Sequence, residues 1–267
     1  MTSNDSNDGT GGTAGTGGIR ITPFAERPAL IGRAYEIADT WPEFTSHEPV
    51  VRALLGWVVE EFPEYCVVAT DGDRVVARGF SVPFNAVLEG REEMPDRGWD
   101  QVLLWAFADR RQGNSPTVAS ALEITVDADY LGRGLSYRML AAMREAVGSQ
   151  GHDTLLAPVR PNAKHLWPRV PMAAYLEGLR ADGLPADPWV RVHVKVGGTV
   201  EKIAPASMTV SGSLAEWRRW TGLPFDRDGE IEVPAALVPV QCSLVHDRAV
   251  YVEPNVWVRH RVSHRAE

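Results

Sequence analysis

The chain has 267 residues, 44% of them hydrophobic, enough to bury a sizeable core as one large domain or a domain with an appendage. Its formal charge of -8 and pI near 5.4 speak against an extended nucleic-acid surface, because neutralising phosphates needs clustered Lys and Arg. Two cysteines, Cys66 and Cys242, build neither a disulfide framework nor a cysteine metal cage, and no window approaches the roughly 18 uninterrupted apolar residues of a membrane span. A soluble cytoplasmic protein without nucleic-acid or membrane partners is the expectation, with a homodimer left open.

Residues 1–18, rich in Gly, Thr, Ser, Asn and Asp, bury no apolar surface and read as a disordered tail. A short strand is expected at 19–22, then a helical pattern through Leu30, Ala34, Ile37 and Ala38. Val51, Leu54, Leu55, Val58, Val59 and Phe62 recur at the helical period, and Pro49 suits the first turn of that second helix. Two antiparallel strands, at 65–70 and 74–80, flank Asp71, Gly72 and Asp73, a tight turn in which Gly72 takes positive φ. Trp99, Val102, Leu103 and Ala106 predict a helix ending near Gly113.

A strand at 118–126 then runs into Leu131-Gly-Arg-Gly-Leu-Ser136, and a helix over 135–150 puts Leu135, Met139, Leu140, Met143 and Val147 on one stripe. The helical crossover makes the next strand, 154–159, parallel to the one before it. Residues 162–188, with their prolines and aromatics, read as an irregular insertion. Residues 189–196 alternate strictly, so they predict a strand with Trp189, Arg191, His193 and Lys195 on one face. Ser213 and Glu216 have capping-box spacing for a short helix through Trp220, and strands at 230–233, 249–253 and 256–262 close the chain.

The glycine-broken turn carries the strongest functional signal. A strand that hands over to a helix through such a turn aims several backbone N–H groups at one point, which favours a phosphate, and the carboxyl ends of strands are where open sheets bind ligands. A Walker loop would need Lys and then Ser or Thr after the last glycine, and a dinucleotide fingerprint would need a third glycine where Tyr137 stands.

These residues resemble the pyrophosphate loop of the GCN5-related N-acetyltransferase superfamily, whose pattern is Gln or Arg, two residues, Gly, one residue, Gly or Ala. Leu131, Gly134 and Ser136 occupy the three slots, so Gly134 alone matches strictly. The flanking Ala121-Leu-Glu-Ile-Thr-Val126 is similar to the family's fourth strand, and the element order agrees over 19–208. The resemblance implies an α/β fold, a central mixed sheet flanked by helices. Residues 19–210 would form the acyl-CoA-binding domain, with the insertion at 162–188, and 211–267 a C-terminal α+β extension packed on it.

The implied chemistry is direct transfer of an acyl group, acetyl first, from acetyl-CoA as co-substrate to a small-molecule amine, with no metal and no covalent enzyme intermediate. Leu131, Gly132, Arg133, Gly134, Leu135 and Ser136 would take the diphosphate, Val126 would offer a backbone N–H to the thioester carbonyl, and Asn162 would meet the pantetheine arm. His193, followed by Gly197 and Gly198, has the spacing of a Tyr, three residues, Gly-Phe motif; His would replace Tyr as acid toward the thiolate, an imidazolium near pKa 6.5 being able to serve. An ammonium near pKa 10.4 must lose a proton before it attacks, and Glu123 is the candidate base. Read as residues alone, His193 is a partly exposed strand residue, and Glu123 is equally a solvent-facing or salt-bridged strand carboxylate. Two other functions stay open: a non-catalytic acyl-CoA-binding module, and a related fold that spends the thioester on another reaction such as decarboxylation. Asp187 or Glu253 would attract an ammonium if their loops lined the pocket. His260 and His264, four residues apart, have no third ligand for a metal at suitable spacing.

Overall fold

The computed structural model describes residues 18–38 and 41–262, so most of the tail expected at 1–18, and His264, lie outside the described residues. Among those residues a nine-stranded mixed sheet runs β1 (Arg20–Pro23), β2 (Val67–Asp71), β3 (Arg74–Phe84), β4 (Val118–Val126), β5 (Thr154–Val159), β9 (Arg248–Arg261), β8 (Val240–Ser243), β7 (Gly229–Ile231), with β6 (Thr199–Gly212) along the other edge of β9. Only β4 and β5 pair in parallel, joined by the crossover helix α4 (Leu135–Ser149). No helix among the described residues is long and apolar enough to cross a membrane.

Several elements fall where the sequence puts them. The helix α3 (Gly98–Gln112) ends at Gly113 with φ of +73°, and α7 (Leu214–Thr221) starts from a complete Ser213–Glu216 capping box. Elsewhere local chemistry overrides the pattern. Leu30, Ala34 and Ile37 are buried, but the expected helix is replaced by a 3-10 helix over Pro28–Arg33, with Ala34 in the turn that follows and Ile37 in a bend. The second helix is broken into α1 (Pro49–Leu54) and α2 (Val58–Glu61) by a 3-10 turn that contains Gly56.

The larger corrections lie in the second half. Residues 189–196 are not a strand: α6 (Pro188–Lys195) is a helix, because the Asp187 carboxylate accepts the amides of Trp189 and Val190 and Pro188 sits at the first helical position. After α5 (Met172–Leu176), a single turn inside the irregular segment, and α6 comes β6, which the sequence does not reveal. Pro205 reads as a turn, yet it lies in a register break between Ala204 and Met208. Opposite that break stands Pro254, so the two final strands expected separately are one continuous β9, each proline occupying a place where the ladder is already interrupted. The domain boundary expected at 210/211 falls inside β6, and β9 pairs directly with β5.

One buried acid on this scaffold has a measurable consequence. Asp100 of α3 is 2% exposed and its Oδ1 has no partner among the described residues; burial, helped by the charge of Glu48, pushes its carboxyl up to about 8. Unfolded chain ionises this group from its ordinary value of 3.8, whereas folded protein holds it neutral until about 8, so stability declines as pH rises across that interval. Asp100→Asn should flatten the decline and raise the melting temperature at pH 8 by about 2–4 °C or more, the shift that ~1 kcal/mol produces in a domain of this size. Thermal melts of both proteins from pH 5 to 9 read it; parallel curves would show that Asp100 does not titrate this way.

Candidate functional site

The register of β4 and β5 creates the site. They pair only at Ala119 with Leu155 and Ser120 with Leu156, then diverge, so β4 from Ala121 to Val126 has no strand partner on that edge. The wedge between them is a cleft of about 380 Å³. Its lining brings together the predicted Glu123, Val126, Leu131, Ser136, Asn162 and His193. Asn162 is exposed just beyond β5, and unpaired strand edge at Val126 supplies the kind of backbone donor expected there.

At one end the strand gives way to the glycine turn. Gly132 and Gly134 take φ of +74° and +73°, and a Cβ on either would meet nothing within 4 Å, so the turn leaves open space above its backbone. Gly134 is also the N-cap of α4 and offers no side-chain oxygen, which leaves the first-turn amides of Leu135 and Ser136 without a capping side chain among the described residues. Such a set fits a diphosphate. Arg133 holds its guanidinium 5.1 Å above the Tyr130 ring at the same turn, a second positive element beside the amides.

The two expected catalytic side chains do reach the cleft, in states that differ from those expected. His193 is 3% exposed on α6, and its Nδ1 lies 2.9 Å from Nε2 of His260. Burial, and then the neighbouring imidazole, push His193 down to about 3; burial and the Arg144 charge push His260 down to about 4. Both shifts favour the neutral rings at pH 7, against the imidazolium acid expected at position 193. The Nδ1 of His260 is buried with no partner among the described residues. A buried N–H without an acceptor is rarer than an under-used acceptor, which assigns the bridging proton to Nε2 of His260. His260 then donates to Nδ1 of His193, and His193 keeps an Nε2–H donor for the cleft. The packing tolerates no substitute at Gly198, where a Cβ would come within 2.6 Å of the His260 ring and 2.7 Å of the His193 carbonyl oxygen.

Glu123 is held as well. Its Oε1 accepts Nε–H of Arg78 at 2.7 Å with side-chain exposures of 5% and 4%, and Arg78 also donates to the carbonyls of Ala34 and Ile37. Asp187 and Glu253, the other carboxylates considered for an ammonium, are structural. Asp187 caps α6 and accepts from Tyr175 and Ala163, while Glu253 is fully buried against Arg160, Tyr251 and Asn255. His260 serves the His193 pair, and no group of three metal-binding side chains occurs among the described residues.

Sequence reasoning missed Arg160 and Trp41, which also line the cleft. Arg160 had a readable signal: a charged residue directly after an apolar strand, at the carboxyl end where ligands bind. Trp41 had none, since it belongs to no periodic element.

No family model matches the chain. Among curated proteins it is similar to the arginine N-acetyltransferase avaD of Aspergillus versicolor, 32% identical over 278 residues of alignment that cover 92% of this chain and 94% of that one. Among solved structures it is similar to the loading GNATL domain of CurA from Lyngbya majuscula, at 16% identity and a TM-score of 0.58, covering 93% of this chain and 98% of that one. The GphF GNAT-like decarboxylase in complex with isobutyryl-CoA follows at 14% identity and a TM-score of 0.52, covering 92% and 99%. At these identities the two structures speak for the fold alone.

Proposed function

Since the chain belongs to the GCN5-related N-acetyltransferase superfamily and is an N-acetyltransferase, we propose that it moves the acetyl group of acetyl-CoA onto the α-amine of arginine or a closely similar small molecule, in the cleft between β4 and β5. The observation that carries this reading is the divergence of those strands directly above the Gly132–Gly134 turn, which joins a phosphate cradle to an unpaired strand edge.

The diphosphate would lie on the amides of Gly134, Leu135 and Ser136 beside Arg133, and the pantetheine arm would run along β4 past Asn162. The acceptor's lone pair attacks the thioester carbon, so a C–N bond forms and the C–S bond breaks. Negative charge passes through the carbonyl oxygen, where backbone N–H near Val126 is placed to receive it, to the thiolate sulfur. Neutral His193 supports the departing sulfur as a hydrogen-bond donor rather than an acid; the sulfur then takes its proton from solvent. The acceptor nitrogen gives up two protons to water, the ammonium proton before attack and a second once the new C–N bond has made it cationic, so that a neutral amide is left. An α-amine loses the first several units below a guanidinium, whose pKa above about 12 keeps it unreactive, which is why the α-nitrogen is the acceptor atom. Glu123, fixed by Arg78, orients that amine as a standing negative charge.

The direct test incubates purified protein with acetyl-CoA and arginine and follows free thiol and acetylated product by mass spectrometry. Equimolar CoA and N-acetylarginine are expected. Thioester consumption without an acetylated amine would overturn the reading.

A further inference from the structure

We propose that Arg160 is the carboxylate-recognition point of the cleft, so that a ligand bound beside the thioester is selected for bearing a free carboxylate; the proposal rests on the acetyl-transfer reading above. Arg160 immediately follows β5, lines the cleft, and leaves 17% of its side chain exposed. Its Nε–H points at both oxygens of Glu253, at 3.1 and 3.0 Å, and Nη2 donates to the carbonyl of Ala235 at 2.6 Å.

Those partners are themselves immobile. Glu253 is fully buried and also accepts from the Tyr251 hydroxyl at 2.7 Å and Nδ2–H of Asn255 at 3.1 Å, while Tyr251 accepts the Leu237 amide. The Trp41 ring lies 5.6 Å from the guanidinium carbon. A guanidinium has five N–H donors, and Nη1 makes no hydrogen bond among the described residues. Because Nε and Nη2 face Glu253 and Ala235, Nη1 is the end left to the cleft.

This arrangement does more than neutralise Glu253. A carboxylate matches the planar donor fork of arginine two bonds at a time, and a fork already held on one edge loses little freedom when a ligand takes the other. Arg78, which holds the cleft residue Glu123, is committed to it and to two backbone carbonyls, which leaves Arg160 as the cation with donors to spare among the described residues of the cleft wall. The carboxylate has two chemical sources: the α-carboxylate of an amino-acid acceptor, or an acid terminus on the acyl group of a dicarboxylic thioester.

The experiment compares arginine, arginine amide and agmatine as acceptors with acetyl-CoA, and acetyl-CoA with malonyl-CoA as donors to agmatine. If the acceptor supplies the carboxylate, kcat/KM for arginine exceeds that for the other two by about tenfold to a hundredfold, the range expected of a charged hydrogen-bonding pair. If the acyl group supplies it, malonyl-CoA exceeds acetyl-CoA by a similar factor. In either case Arg160→Lys, which keeps the charge opposite Glu253 and loses the fork, should shrink the ratio several-fold. The double variant R160M/E253Q, which removes both charges and strands neither, should bring it close to one. Ratios within about threefold of one in wild-type protein in both arms would overturn the proposal. Equilibrium binding of arginine and agmatine to the CoA-loaded protein reads recognition without turnover: equal affinities, together with equal affinities for malonyl-CoA and acetyl-CoA, overturn it whether or not transfer occurs. Absence of transfer to any amine, with a binding preference intact, would sink the proposed function and leave the recognition point standing.

Discussion

Gly134→Val is expected to raise the dissociation constant for CoA by about tenfold to a few hundredfold while the protein stays folded. At φ of +73° glycine pays no steric penalty, whereas a β-branched residue in the left-handed region is a genuine outlier, costing roughly 1–2 kcal/mol if the turn keeps its shape. The built Cβ meets no protein atom within 4 Å, so nothing in the fold itself is displaced. Harm therefore concentrates on the ligand. If the turn relaxes, the first amides of α4 swing off target, and if it does not, an isopropyl group stands in the space a diphosphate would use. Losing one or two charge-assisted hydrogen bonds at about 1.5–3 kcal/mol each accounts for the range. Calorimetric titration of CoA into both proteins, with a melt to check folding, decides the matter. Unchanged affinity in a folded variant would remove the glycine turn from the site.

His193→Ala should lower kcat by about a hundredfold or more while CoA affinity holds, because the donor matters only as negative charge reaches the sulfur. His260→Phe should fall in the same direction but less steeply, since His193 would lose its fixed tautomer and keep its ring. His260→Gln, which can still donate to Nδ1, should recover part of the loss. A role that was only structural would move the melting temperatures of these variants and leave kcat alone. The pH profile carries a second signature. Both imidazoles stay neutral well below their ordinary pKa of 6.5, so no limb near that pH should belong to either ring. An inflection near 6.5 that disappears in His193→Ala would show that an imidazolium acts after all. The depressed values also fix the sign of the stability effect. Unfolded protein takes up protons on both rings below about 6.5 while folded protein refuses them until about 4 and 3, so stability present above 6.5 is lost as pH falls through that window.

Much of the cleft was legible residue by residue, and the reason is local. The positive φ at Gly132 and Gly134, the cap of α7 at Ser213 and the stop of α3 at Gly113 each depend on a few neighbours whose chemistry is written in the chain. The bounds of β4 and β5 follow from apolar runs that no nearby residue contests. Where tertiary pairing decides, the pattern misleads. Val190, Val192, Val194 and Val196 alternate like a strand, but Asp187 and Pro188 start a helix before the alternation can act. The strand β6 looks broken at Pro205 because its partner Pro254 lies some fifty positions away.

Sequence alone determined the glycine-broken turn that joins the end of β4 to α4, since backbone conformation there is set by glycines and their immediate neighbours. Only the folded structure decided the burial and the hydrogen-bonding partners of the groups facing the cleft. His193 is held toward its neutral form by burial and by His260, distant in the chain; Glu123 is ion-paired with Arg78; Arg160 is a rigid fork because Glu253 lies beside it. A titratable group's state depends on desolvation and on charges within a few ångströms, and those neighbours arrive from anywhere along the chain.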